Sequence, residues 1–433
     1  MDVTTRSGRT CYQQGVTMLE NPGLETPVVR ESFRHNGWRA LLEVAAIFSR
    51  LGCMSFGGPI AHLGYLRAEL VTKRKWLDDA QYADLVALCQ FLPGPASSQV
   101  VFALGLQRAG LAGALIASVC FTLPSAVLMI GFALGAAHFG SVHEARWLHG
   151  LKLASVAVVA QAVWGMGKKL CPDRPRLALC IGAAALTLLW PYAAGQVCAI
   201  AVGGAIGYFL YRGQPLSAAA AAAASGSVGS TRIAGGVLML WAALLAGLPL
   251  LAAAVPVREL AELDSFYRSG SLVFGGGHVV LPLLRAELVP RGWLSDDLFL
   301  AGYAAAQAVP GPLFTFAAYL GAAMGGTGAA WSNGFWCLFA IFLPAWLLIG
   351  GALPFWQRLR SKLWAQAALA GANAAVVGVL LAAFYQPVFS GSVHAPRDFV
   401  LALVGFACLE LWRAPAGLVV LGMAAAGQFL LVP

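Results

Sequence analysis

The sequence predicts an all-α polytopic membrane protein, built as an inverted-topology internal repeat with re-entrant or broken helices, N-terminus in and C-terminus out. Three observations carry this expectation: an apolar composition, apolar segments that recur along the chain, and a motif written twice. The 433 residues are 59% hydrophobic and only 11% charged, with a mean hydropathy of +0.74. That balance excludes an ordinary soluble protein.

Stretches long enough to span or nearly span a bilayer recur at 111–137, 147–167, 175–191, 193–211, 232–254, 327–354, 362–386, 398–412 and 414–432. Hydrocarbon requires every backbone amide to be paired internally, and these Ala/Leu/Gly-rich segments lack the two-residue alternation of a membrane barrel. Residues 1–36 carry Arg6, Arg9, Arg30 and Arg34 without an uninterrupted apolar core, and are expected to form a cytoplasmic tail rather than a cleaved signal peptide. The nine cysteines lie mostly in apolar segments with no CxxC pair and no Cys/His ligand spacing, so no metal or cofactor is expected.

The repeat sets the organisation. Phe48, Arg50, Gly52, Phe56, Gly57 and Gly58 recur 218 positions later as Phe266, Arg268, Gly270, Phe274, Gly275 and Gly276, and Arg67-Ala68-Glu69-Leu70-Val71 as Arg285-Ala286-Glu287-Leu288-Val289. One residue is then dropped. Trp76-Leu77 falls on Trp293-Leu294, and Gln90 with Pro93-Gly94-Pro95 falls on Gln307 with Pro310-Gly311-Pro312. A fixed-distance repeat of this kind is read as duplication. The expected organisation is a first transporter repeat at 37–212, an Ala/Ser/Gly-rich linker at 213–231, and an extra crossing helix plus the second repeat at 232–433.

Repeats in transporters run parallel or inverted, and the distribution of basic residues distinguishes them. With the N-terminus inside, most of the 28 Lys and Arg fall on the cytoplasmic side; Arg146, Lys152, Arg258, Arg285, Arg291 and Arg397 fall outside, and Arg50 and Arg268 lie within broken elements. The unpaired segment at 232–254 turns the second repeat over. The crossing total is then odd, between about nine and thirteen according to how broken helices are counted.

Each repeat is interrupted twice, once at Phe56-Gly57-Gly58-Pro59 or Phe274-Gly275-Gly276-Gly277, and once at the Pro-Gly-Pro turns. An unpaired amide in hydrocarbon costs about 2–7 kcal/mol, so the freed N–H groups need partners. A half-helix N-terminus with free donors and the positive end of its dipole suits a small anion. The donors would come from Ile60 and Ala61, from Ala96, Ser97 and Ser98, from Gly277, His278 and Val279, and from Leu313, Phe314 and Thr315. The same glycines and prolines would also serve close helix packing and kinks, yet paired interruptions at matching places point to a transport site.

Arg50 and Arg268 precede the first breaks; they would either supply positive charge to an anion or pair with acids such as Glu43 and Asp264. Arg67 and Arg285 stand farther along, with Glu69 and Glu287 as neutralising partners or as gating and proton-coupling pairs. Gln90 and Gln307 would hydrogen-bond either the ion or the loop backbone. His62 and His278 sit near the first breaks at non-equivalent positions, where one of them would titrate or simply pack. His138, His143, His149 and Glu144 cluster in one loop with no metal-ligand spacing, and read as a solvated loop.

Taken in order, "SFGGPIAH" with "FLPGPASSQ" and "FGGGHVVLPLL" with "QAVPGPLFTFAAYLG" resemble the two-domain form of the chromate ion transporter family, from about residue 40 to the C-terminus. The resemblance implies chromate efflux across a bacterial inner membrane, giving chromate resistance, driven by the proton gradient and with sulfate as an isosteric competitor. The residues alone reach an inverted-repeat secondary transporter for a small anion. Sulfate or related oxyanion uptake on the same scaffold, and a non-transporting membrane enzyme or scaffold, stand as alternatives. No GxxxxGK[ST] motif points to an ATP-driven pump, and no nicotinamide or iron–sulfur fingerprint points to redox chemistry. The net charge of +9 is spread over short loops, which does not suit nucleic-acid binding. The expected partners are the chromate or sulfate oxyanion and the bilayer; a homo-oligomer is left open.

Overall fold

The computed structural model describes residues 37–55, 58–138, 146–190, 192–213, 231–274, 277–356 and 362–430. Among these residues the protein is helical, with no strand. The first repeat comprises α1 (Trp38–Met54), α2 (Gly58–Arg67) continued by a π-helical turn (Ala68–Lys73), α3 (Asp79–Phe91), α4 (Ala96–His138), α5 (Arg146–Leu170), α6 (Arg174–Leu189) and α7 (Ala193–Tyr211). The extra helix is α8 (Thr231–Ala254). The second repeat comprises α9 (Arg258–Ser271), α10 (Val280–Leu288), α11 (Asp296–Ala308), α12 (Phe316–Ala352), α13 (Leu363–Ala383), α14 (Pro396–Glu410) and α15 (Ala416–Leu430).

The repeat seen in the sequence is a repeat of structure. Asp78 and Ser295 occupy matching N-cap positions, each side chain accepting an amide from the first turn of its helix, α3 or α11. The two longest helices are each bent hairpins. In α4 the backbone leaves helical geometry at Ala109 and Gly110, the latter with φ of 65°; α12 does the same at Gly326, with φ of 62°. A Cβ on Gly105 would meet the carbonyl of Gly113 at 2.5 Å, as only two antiparallel segments joined at that bend allow. The apolar segment expected to begin at 111 therefore starts at the bend.

Among the described residues six helices are long and apolar enough to cross a membrane, two of them α4 and α12, which the bends divide. The segments expected at 175–191, 398–412 and 414–432 form helices of only 16, 15 and 15 residues. At 1.5 Å per residue these cover about 22–24 Å, less than the ~30 Å hydrocarbon layer. The expected segments hold 17, 15 and 19 residues, so these are the ones that nearly span the layer.

Lipid tails are as apolar as leucine, so these helices are joined by close fit rather than by hydrophobic drive. Gly52 of α1 lies against Phe121 of α4, and its counterpart Gly270 of α9 against Ile341 of α12; a Cβ on Gly52 would approach the Phe121 carbonyl to 2.5 Å. Gly203 and Gly207 of α7 seat Gly371 and Ala375 of α13 in the same manner.

These contacts show the halves to be exchanged. The first repeat's α6 and α7 pack on α13 of the second, while the second repeat's α14 and α15 pack on α5 of the first. The α4 and α12 hairpins pack against each other, with Ile130 at Gly334 and Phe102 stacked on Trp346. The halves drawn at 37–212 and 232–433 are thus continuous in sequence and interleaved in space. The extra helix α8 packs on α9 and α12 and leaves Ile233, Met239 and Leu250 exposed, as a lipid-facing helix would.

Candidate transport site

Both breaks lie at the interface between the repeats. The first break of repeat one follows Met54, where α1 ends; Phe56 and Gly57 lie outside the described residues, and the chain re-enters helix at Gly58 with Pro59 in the first turn of α2. In repeat two Gly275 and Gly276 likewise lie outside them, Phe274 is partly buried, and Gly277 and His278 form a tight turn leading into α10. Each Pro-Gly-Pro turn is buried around a glycine with positive φ, 117° at Gly94 and 110° at Gly311. Only glycine holds such a backbone without strain.

The four interruptions are joined in crossed pairs. Gly94 donates its N–H to the carbonyl of Val273, 2.7 Å away, and Gly311 donates to the carbonyl of Ser55, 2.8 Å away. Ser55 and Val273 are themselves repeat counterparts. Each proline-glycine turn thus closes on the break of the opposite repeat, and backbone groups left open by one interruption satisfy the other. A Cβ on Gly311 would meet the Ser125 hydroxyl at 2.6 Å, whereas one on Gly94 would meet Ala345 and the Gln99 amide.

Ser97, Ser98 and Thr315 are buried beside these turns, and Thr315 donates its hydroxyl to the Pro312 carbonyl at 2.8 Å. The Gln99 amide donates to Pro93 at 2.8 Å from a fully buried position. Sequence comparison overlooked Gln99 because its counterpart is Phe316; the string "PGPASSQ" holds it. Gln90 is exposed on α3, while Gln307 keeps its amide nitrogen buried and unpartnered. His62 Nδ1, Ser98 Oγ and Gln99 Oε1 are also buried without partners. Such atoms cost about 1–3 kcal/mol each unless a ligand or water engages them.

The charged residues form two matched clusters. Glu69 holds Arg50 at 2.5 Å and Arg74 at 2.8 Å. Glu287 holds Arg268 and Arg291, each at 3.2 Å, and Arg268 also holds Asp264 at 2.5 Å. Arg67 pairs with Asp79 at 2.8 Å, and Arg285 grips Asp296 with two nitrogens at 2.7 and 2.9 Å. The expectation that Glu69 and Glu287 neutralise Arg67 and Arg285 is therefore corrected. Residues two apart on a helix point away from each other, and these carboxylates reach the arginines that precede the break instead. Of the acids weighed for the first arginines, Asp264 takes Arg268, but Glu43 takes Arg74 and Arg108 and leaves Arg50 to Glu69. Arg74 with Arg291, and Asp79 with Asp296, are repeat matches that a full comparison of charged positions would have found.

Arg268, Ser269 and Glu287 line an open pocket of about 490 Å³, together with Cys198, Leu245 and Leu283. In the loop cluster, His149 pairs with Asp398 at 3.1 Å, while His143 and Glu144 lie outside the described residues. Among the described residues no group of three His, Cys, Asp or Glu could hold a metal ion.

A family model described as chromate transporter matches the chain twice, over residues 42–208 and 260–428. The chain belongs to the chromate transporter family. Both matched segments coincide with the structural repeats. A chromate transport protein of Pseudomonas aeruginosa is 29% identical over 409 residues, covering 88% of this chain and 90% of the relative. A probable chromate transport protein of Synechococcus elongatus is 26% identical, covering 86% and 90%. A chromate transport protein of Cupriavidus metallidurans is 26% identical, covering 85% and 88%. No solved structure matches. This chromate transporter family member is a multi-pass membrane protein with an internal repeat.

Proposed function

We propose that the protein moves chromate out of the cytoplasm as a secondary active transporter, coupled to the proton gradient, with sulfate competing for the same site. The observation that carries this reading is the crossed pairing of the four interruptions, Gly94 to Val273 and Gly311 to Ser55, inside a membrane-embedded interface. It gathers helix starts and the buried, unpartnered donors Ser98 Oγ and Gln307 Nε2, as a tetrahedral dianion requires. The relatives named for chromate transport support the choice of ion.

In this reading the first helical turns after Pro59, Gly277, Pro95 and Pro312 hold the oxyanion, with Ser97, Ser98 and Thr315 beside it. Arg50 and Arg268 hold positive charge in reserve, balanced at rest by Glu69 and Glu287. The N-terminus lies in the cytoplasm, and α8 turns the second repeat over. The test is labelled-chromate flux into inside-out vesicles, with and without a proton gradient and with excess sulfate. Saturable flux that the gradient enhances and sulfate inhibits supports the reading; sulfate import from outside with no chromate flux supports uptake instead.

A further inference from the structure

His62 is 1% exposed, on the α2 half-helix just past the first break. Its Nε2 lies 2.9 Å from the carbonyl of Ser55, the same oxygen that accepts the N–H of Gly311. A carbonyl oxygen only accepts, so Nε2 carries the ring's hydrogen and the two acceptances use both lone pairs of Ser55. The neutral ring is then held in one tautomer, with a bare lone pair on Nδ1. That nitrogen is buried and has no partner. The ring packs edge-on against Phe121, with centroids 5.8 Å apart.

The charged groups on the elements around α2 are engaged elsewhere. Glu69 takes Arg50, Lys73 and Arg74; Asp79 takes Arg67; Arg108 takes Glu43. Asp84 accepts from the Trp356 indole at 3.2 Å, and the Tyr82 hydroxyl donates to Leu63 at 2.7 Å. Arg39, Tyr65, Cys53, Cys89 and Cys120 also stand on these elements, and none of them is a carboxylate. Nothing negative therefore stands ready to compensate a charged ring, and a lone pair aimed at an oxyanion repels it. The second repeat places Val280 at the matching position, and its own His278 instead shares a hydrogen bond with Tyr303 at 2.7 Å.

We propose that His62 is a proton-carrying ligand of the oxyanion. Resting on the anion site proposed above, it takes a proton on Nδ1 as the dianion arrives and donates a hydrogen bond from that N–H to one of the anion's oxygens. The N–H bond forms with a proton taken from water and breaks when the anion leaves; the proton crosses with the anion, so each cycle carries one net negative charge outward, down the inside-negative potential that accompanies the proton gradient. The dianion's charge supplies the compensation that burial withholds, so each stabilises the other. The device belongs to one repeat only, which makes the two sides of the site chemically unequal.

The test counts protons. Full-length protein in detergent is titrated with chromate by calorimetry at about pH 8, where the ligand is already the dianion, in two buffers of different ionisation enthalpy. About one proton is expected to be taken up per chromate by the wild type, with affinity falling up to about tenfold per pH unit above neutrality. His62→Gln keeps an N–H for Ser55 and cannot titrate; it is expected to bind chromate with no proton uptake and a flat pH dependence. His394→Gln, at an exposed histidine outside the breaks, is expected to keep the uptake. Wild-type binding without proton uptake, or undiminished uptake by His62→Gln, overturns the proposal while leaving the anion site intact. Should His62→Gln prove unstable, the wild-type proton count still decides, because binding without uptake overturns the proposal. Absence of chromate binding to the wild type overturns the site itself.

Discussion

The amide of Gly311 donates to the carbonyl of Ser55 across 2.8 Å, tying the proline-glycine turn of one repeat to the helix break of the other. Its counterpart, Gly94 to Val273, closes the reciprocal pair at 2.7 Å. Neither repeat can complete its own interruptions. The site is consequently a property of the pair of repeats, and disturbance on either side should be felt by both.

The Arg268–Glu287 pair tests whether the charged clusters are structural as well as functional. Glu287 is nearly buried, and Arg268 is its link to Asp264. Arg268→Gln leaves two carboxylates short of a partner and is expected to cost about 3 kcal/mol, seen as a lower melting temperature in detergent. Adding Glu287→Gln should recover at least about 1 kcal/mol of it, because the orphaned charge is removed. Additive losses would show that the two do not interact.

Arg67 and Asp79 are both more than half exposed, at 55% and 65%. Arg67→Ala should therefore change stability by less than about 1 kcal/mol. Chromate flux is the informative readout for this variant. Loss of flux with unchanged melting assigns Arg67 to gating, and retained flux removes it from the candidate set.

Asp173, in the turn between α5 and α6, offers a pH test outside the membrane. The Arg176 guanidinium holds its carboxyl below the usual carboxylate range against partial burial, helped by the Arg176 amide and the Tyr211 hydroxyl. A lowered folded-state value means stability that is fully present above the unfolded value of about 3.9 and is lost as pH falls through the folded one. Melting temperature measured from neutral pH into that acidic range should fall more steeply for the wild type than for Asp173→Asn. Parallel curves would exclude the contribution.

Much of this was legible in the sequence. The offset linking Arg50 to Arg268, the breaks at Gly58 and Gly277, the bend at Gly110 and the unpaired helix at 232–254 all follow from glycine, proline and hydropathy patterns that act locally. What stayed hidden depends on three-dimensional exchange. No local rule says that Gly94 closes on Val273 rather than on Ser55, or that α13 packs on α6 and α7 of the other repeat. Glu69 was set beside Arg67 because it is close in sequence, yet helical geometry turns it toward Arg50 and Arg74. Gln99 was missed for the opposite reason, since its role exists in one repeat only.

The crossed closure is tested most directly by labelled-chromate flux in proteoliposomes reconstituted with wild type, Gly94→Ala and Gly311→Ala. A Cβ at either position meets a positive φ that costs about 1–2 kcal/mol, and at Gly311 it also strikes Ser125, whose Cβ would be 3.0 Å away. Both variants should insert normally and transport at least about tenfold more slowly, as a barrier raised by ~1.4 kcal/mol requires, with Gly311→Ala the slower. Wild-type rates from correctly inserted protein in both would contradict a site built by the two repeats together.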